Sequence, residues 1–177
     1  MGSSNGLAVG ETVPDLSETL VRPGGETAET SLSSLWADSP VLLSFYTNDF
    51  TPDCLSEWCS FRDYDWFNST DDVQVVGVSK SGVPTHRWFL DFLDLNFPLY
   101  ADTDLTLTKA FDVYYRAFKV APRSRRSCFL LDTDGVVRYK WVGEHPVDPT
   151  RDQPPISEIH EVIVEEFGGN ESETFGL

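Results

Sequence analysis

Two short runs of nearly continuous apolar residues stand out along the chain: VLLSFYT at 41–47 and VQVVGVS at 73–79. Runs of this length, bounded by turn residues such as Pro40 and Asn48-Asp49, predict strands covered on both faces. A third strand is expected over 127–132. It is joined to a fourth, over 136–142, by Thr133-Asp134-Gly135, a hairpin turn signal. Segments 19–22 and 26–30 flank Pro23-Gly24-Gly25 and predict a second hairpin. A short strand is expected at 97–100. Helical patterns fall between these strands. One or two turns are expected over 31–38, and a longer helix over 52–68 with Leu55, Trp58, Cys59 and Trp66 on an apolar stripe. A helix over 84–95 has proline at its start, and one over 104–111 has acid in its first turn. An amphipathic helix over 155–167 closes the pattern.

Strands and helices alternate first, and an antiparallel hairpin and a final helix follow. This order predicts an α/β domain with a central mixed β-sheet flanked by helices and an N-terminal β-hairpin. A thioredoxin-like core fits it. No internal repeat or linker divides the chain, so one domain is expected over residues 1–177, with 1–10 and 168–177 flexible. The order of elements carries no chemistry by itself.

Charge narrows the list of partners. Thirteen Lys and Arg stand against 29 Asp and Glu, a formal net charge of −16. Nucleic acid and anionic membrane surfaces would be repelled. No run of 18 apolar residues offers a membrane span. The start, MGSSNGLAVGETVP, lacks the basic and apolar regions of a secretory signal, so a cytoplasmic protein is expected. The acid is spread along the chain rather than gathered in a block. That favours a halophilic surface, whose self-repulsion high salt would screen, over an acidic surface built for one partner.

The chain has only three cysteines, too few for a disulfide scaffold. Two of them, Cys54 and Cys59, lie in FTPDCLSEWC. Cys54 falls in the first turn of a helix opened by Thr51-Pro52. Unpaired N–H groups and the positive end of the helix dipole stabilise a thiolate there. The alternative is a buried cysteine acting as a small hydrophobe. Five residues of ideal helix separate two Cα atoms by roughly 8 to 9 Å, and a disulfide spans at most about 7 Å. The two sulfurs therefore bond only if the helix opens. Zinc would need more ligands than this stretch offers, and His86, His145 and His160 are scattered, so no metal and no cofactor are expected.

The segment FYTNDFTPDCLSEWCSFRD resembles the active-site stretch of peroxiredoxins, most closely the Q or bacterioferritin-comigratory type. Phe45, Tyr46, Asp49, Thr51, Pro52, Cys54, Glu57, Cys59, Phe61, Arg62 and Asp63 all match that pattern. The resemblance continues through VVGVS, NFPLYADTD and RSCFLLDTDGVVRY, over roughly residues 10–167. It implies a thiol-dependent peroxidase for hydrogen peroxide and organic hydroperoxides. Cys54 would be the peroxidatic thiolate and Cys59 the resolving thiol. Thr51 would bond the peroxide oxygens, and Arg126 would be the active-site arginine. A thioredoxin-like reductant would regenerate the enzyme, as a monomer or a homodimer.

Two positions depart from the pattern. The family's active-site proline falls on Thr47, and Asp53 puts negative charge beside the expected thiolate. Two rival readings stay open beside the peroxidase. One is a thiol–disulfide oxidoreductase, against which stands the missing Cys-x-x-Cys. The other is a non-catalytic redoxin serving as a binding module. Cys128 reads as structural, and His86 and His160 as surface residues on helices. The five tryptophans read as core or interface residues. Arg116, Lys119, Arg123, Arg125 and Arg126 form the one basic cluster in an acidic chain.

Overall fold

The two continuous apolar runs lie side by side in the middle of a sheet. The structure, a computed structural model, describes residues 6–46, 58, 59, 61, 73–117, 121–124, 126–143 and 155–167. In chain order its elements are β1 (Ser17–Val21), β2 (Thr27–Ser31), α1 (Leu32–Trp36), β3 (Val41–Phe45) and β4 (Gln74–Ser79). Then come α2 (Val83–Leu93), β5 (Leu99–Ala101), α3 (Thr106–Ala110), β6 (Tyr114–Ala117) and β7 (Ala121–Ser124). The last three are β8 (Ser127–Leu131), β9 (Val137–Val142) and α4 (Ile156–Phe167).

Seven strands form one mixed sheet in the order β2-β1-β5-β4-β3-β8-β9. β3 pairs parallel with β4 and antiparallel with β8, and β4 pairs parallel with β5. The N-terminal hairpin is present, with Ser17 opposite Ser31 and Val21 opposite Thr27. Each element expected from the pattern is found where it is described, with ends shifted by at most two residues. For the helix expected over 52–68, only Trp58, Cys59 and Phe61 are described, and all three are helical.

Alternation along the central strands sorts the core onto two faces. Leu42, Val75, Leu99, Cys128 and Leu130 face one side. There they meet Trp58 and Phe61, then Phe89, Leu90 and Leu93 of α2, and Ile159 and Ile163 of α4. Leu43, Phe45, Val76, Val78 and Phe129 face the other side and meet α1, Leu107 and Phe111. Both faces are covered, which is why the strands read as continuous apolar runs rather than alternating ones.

Several expectations are corrected. β6 and β7 form a separate two-stranded sheet that the sequence reading missed. Their polar, proline-containing sequence lacks the apolar signal of a covered strand. His86 is not a surface residue: it is fully buried, with Nε2 3.0 Å from the carbonyl oxygen of Tyr100. It shares the inward face of α2 with Phe89, Leu90 and Leu93, at helical spacing. His160 is half-buried. Of the tryptophans, Trp36 and Trp58 are in the core, Trp141 is half-buried and Trp88 is 67% exposed; Trp66 lies outside the described residues. The described part of the N-terminal lead-in is hydrogen-bonded, with Gly6 N–H donating to Asp112 and Gly10 N–H to Val137.

The acid of α3 also differs from expectation. Its first turn carries none. Instead the buried Asp102 accepts from the N–H groups of Leu107 and Thr108 and from the Thr108 hydroxyl, at 2.8–2.9 Å. Asp102 also acts on β1. Partial burial, then the charges of Asp102 and Glu29, push the Glu18 carboxyl above its ordinary value. A carboxyl with a raised pKa holds its proton more readily in the folded than in the unfolded chain. It therefore contributes stability below its unfolded pKa, and that contribution is lost as pH rises through the folded value. Glu18→Gln should stabilise the fold at neutral pH, by under about 1 kcal/mol for so exposed a group. The gain should vanish in acid. Urea titrations at pH 7 and at pH 4 check both statements, and a variant less stable at pH 7 would contradict them.

Candidate active site

The chain leaves β3 at Tyr46 and enters the FTPDC segment. Tyr46 continues the strand for one more residue, its N–H donating to the Val78 carbonyl at 3.0 Å. Active sites of open α/β sheets gather at this carboxyl end of the parallel strands, where loops depart toward the next element. Cys54, Thr51, Thr47 and Asp53 follow there in sequence and lie outside the described residues.

Arg126 arrives at the same end from the other direction. β8 runs antiparallel to β3, with Ser127 opposite Phe45. Arg126, one residue earlier, therefore stands at the level of Tyr46, where the cysteine-bearing segment departs. Its backbone is fixed by Gly143, whose N–H donates to the Arg126 carbonyl at 2.8 Å. Its side chain is only 1% exposed. Arginine is almost never buried without partners that hold its charge, so Arg126 is not a solvent-facing arginine of the basic cluster. Arg116 and Arg123 lie on the β6–β7 hairpin that leads into this corner; Lys119 and Arg125 fall outside the described residues.

Cys59, expected from the motif as the second thiol, is among the described residues. It is helical and half-buried, and it packs against the core face that carries Trp58, Leu42 and Cys128. Trp58, just before it, is fully buried. The indole meets Tyr46 edge-on at 5.5 Å and lies against Phe61 at 5.2 Å and Phe97 at 6.0 Å. It fits because residue 77, at the centre of β4, is glycine. A Cβ there would sit 2.6 Å from the indole ring and 2.6 Å from Leu99. Cys128 lies deeper on the same face, fully buried, with Sγ 3.4 Å from the Ser44 hydroxyl. Among the described residues no group of three or more His, Cys, Asp or Glu could hold a metal ion. No described helix is long and apolar enough to cross a membrane.

Residues 9–140 match the AhpC/TSA family. The chain belongs to that family and is a peroxiredoxin of the Bcp or Q type. The peroxiredoxin Bcp of Bacillus subtilis is 30% identical over 138 residues, covering 76% of this chain and 85% of that one. Among solved structures, peroxidoxin BcpB of Mycobacterium tuberculosis superposes with a TM-score of 0.71 at 25% identity, covering 89% of this chain and 95% of that one. The bacterioferritin comigratory protein of Xanthomonas campestris, from a structural study of its alkyl peroxide reduction, superposes with a TM-score of 0.64 at 25% identity. It covers 83% of this chain and 88% of the other. The fold of this peroxiredoxin is accordingly the thioredoxin-like α/β fold, and its activity is that of a thiol-dependent peroxidase.

Three features are absent from the sequence reading: the burial of Arg126, the depth of His86 in the core and the recess that Gly77 opens for Trp58. Only His86 left a usable signal, since positions 86, 89, 90 and 93 lie on one side of a helix.

Proposed function

We propose that this peroxiredoxin reduces hydrogen peroxide and organic hydroperoxides by a two-cysteine cycle. Cys54 is the peroxidatic thiolate and attacks the terminal peroxide oxygen. The O–O bond breaks, the leaving oxygen departs as water or an alcohol, and the sulfur becomes a sulfenic acid. Thr51 bonds the peroxide oxygens. Arg126 supplies a fixed positive charge that favours the thiolate and the charge developing on the leaving oxygen. The thiol of Cys59 then displaces hydroxide from the sulfenic sulfur, so that a disulfide forms and water leaves. A thioredoxin-like dithiol reduces the disulfide by exchange. The setting we infer is cytoplasmic.

The observation that carries this reading is the buried Arg126 at the end of β3 from which the Cys54 segment departs. The half-buried Cys59 supports it, because a resolving thiol held against the core is kept from solvent until its turn. The alkyl peroxide reduction attributed to the Xanthomonas relative supports the wider substrate range.

Intact mass after one equivalent of hydrogen peroxide tests the cycle. The wild type should lose about 2 Da as the disulfide forms. Cys59→Ser should gain about 16 Da as the sulfenic acid persists. An unchanged mass in both would remove Cys54 from the role, and a wild-type gain of 16 Da without the loss would remove Cys59.

A further inference from the structure

We infer that the β6–β7 ribbon is the docking surface for the reductant, and that the reductant it fits is a dithiol protein with an acidic surface around its thiols. The inference rests on the two-cysteine cycle proposed above and gives the partner of its last step a chemistry and a place to land.

Charge is divided unevenly along the chain. Between Asp112 and Asp132 there is no Asp or Glu, and five of the thirteen Lys and Arg fall there. The other eight share the rest of the chain with all 29 Asp and Glu.

The fold sets this stretch apart in space as well. β6 and β7 form their own two-stranded sheet, off the main one. Tyr115 stands opposite Arg123 and Arg116 opposite Pro122, so two arginines occupy neighbouring rungs of the ribbon. At its root the Lys109 ammonium lies 5.1 Å from the centre of the Tyr114 ring, which adds a further cation. β7 ends at Ser124, two residues before the buried Arg126, at the corner where the cysteine-bearing segment leaves β3. Three residues of chain span at most about 11 Å, so the backbone of Arg123 is tied within that distance of Arg126. At low ionic strength, charges over this range act on an approaching molecule before it touches.

This distribution selects the sign of the partner. A basic protein would be drawn to the whole acidic surface and repelled at the ribbon, beside the place where thiol exchange occurs. An acidic protein is repelled everywhere else and attracted there. Repulsion over the rest of the surface removes unproductive encounters, and local attraction raises the rate of the productive one. A small uncharged dithiol feels neither effect.

Once docked, the reductant's first thiolate attacks the enzyme disulfide. A mixed disulfide forms and one enzyme thiolate is released. The reductant's second thiol then closes its own disulfide, displacing the other enzyme sulfur, and its proton passes to a released thiolate. Two electrons reach the enzyme, and the reductant leaves oxidised.

The experiment is steady-state peroxide turnover by the full chain with two reductants. One is a thioredoxin of net negative charge, recycled by its reductase and followed by NADPH consumption. The other is dithiothreitol. With the thioredoxin, kcat/KM for the reductant should fall about tenfold from about 20 to about 300 mM KCl. With dithiothreitol it should change less than about twofold. Arg116→Ser combined with Arg123→Ser should lower the thioredoxin value about tenfold at low salt and flatten its salt dependence. Arg116→Lys with Arg123→Lys keeps the charge and should restore it to within about threefold. Dithiothreitol-driven turnover of each variant confirms folding. Arg138→Ser removes a cation at the far end of β8 and β9, where Arg138 pairs with Asp132, and should leave the thioredoxin value unchanged.

A thioredoxin value that rises with salt, or one that the serine pair leaves at the wild-type level, would overturn the inference. So would an equal loss in Arg138→Ser, or turnover with dithiothreitol but none with the thioredoxin. Self-association of the wild type at low salt, seen by sedimentation and lost in the serine pair, would assign the ribbon to a second copy of this chain instead. Absence of turnover with either reductant would overturn the two-cysteine cycle, and the docking surface with it.

Discussion

Arg126→Met should lower kcat/KM for hydrogen peroxide by about two orders of magnitude, the loss typical of removing one preorganised donor at a site of developing charge. Methionine keeps much of the length and the apolar stem, so the change isolates the guanidinium. Two effects are expected to add. The positive charge that stabilises the attacking thiolate is lost, so the pKa of that thiol rises. The rising limb of the pH–rate profile should then move to higher pH by about one unit or more. The developing charge on the leaving oxygen also loses its partner. Arg126→Lys keeps the charge but not the planar fork of donors, so it should fall between the two. Stopped-flow peroxide kinetics from pH 5 to 9 on both variants, with circular dichroism to confirm folding, give the readings. A folded Arg126→Met enzyme with the wild-type rate and profile would remove Arg126 from the site.

Asp102→Ala should cost about 3 kcal/mol of stability without touching the peroxide chemistry. The carboxylate is fully buried and accepts three hydrogen bonds, from Leu107 N–H, Thr108 N–H and the Thr108 hydroxyl. Alanine would leave two backbone donors and a hydroxyl buried without their acceptor. Each such orphan costs about 1–3 kcal/mol, partly recovered if water enters. For a chain of this size the expected fall in Tm is about 6–12 °C. Asp102→Asn keeps one acceptor oxygen but turns an NH₂ toward the remaining donors, so it should recover only part of the loss. Urea and thermal unfolding measure the effect. A loss below about 1 kcal/mol in the alanine variant would show that α3 does not depend on this carboxylate.

These two residues mark the limit of what the sequence could tell. β3, β4 and β8 were legible because a strand covered on both faces must be apolar along its length. The N-terminal hairpin was legible because Pro23-Gly24-Gly25 permits little else, and Gly24 and Gly25 both take positive φ. β6 and β7 were not legible, since two strands outside the main sheet face no demand for apolar continuity. Asp102 was missed because its helix starts irregularly. Leu105, at the cap position, is left-handed, with φ 60°, so the stabilising carboxylate lies three residues farther upstream and outside any capping pattern. Arg126 looked like one of several arginines until the pairing of β3 with β8 placed it inside. Family resemblance could name it, but local sequence could not. For Cys54 and Thr51 the argument still rests on the motif. For Cys59 too the role rests on the motif, and the packing adds that the thiol is half-buried against the core.

The sulfur of Cys128 offers a separate use. It lies on the sheet face covered by α2 and α4, beside Ser44, with no exposed surface. A thiol so placed meets a small alkylating reagent only when the helices over that face lift from the sheet, which opens one side of the core. Cys59 is only half-buried, so a smaller movement exposes it. The two cysteines therefore form a pair of internal clocks. In the reduced protein, the rate at which each is labelled would time two different openings of one molecule, the smaller excursion and the larger one. Their ratio would show how far the protein can loosen its redox segment while the sheet beneath it stays shut.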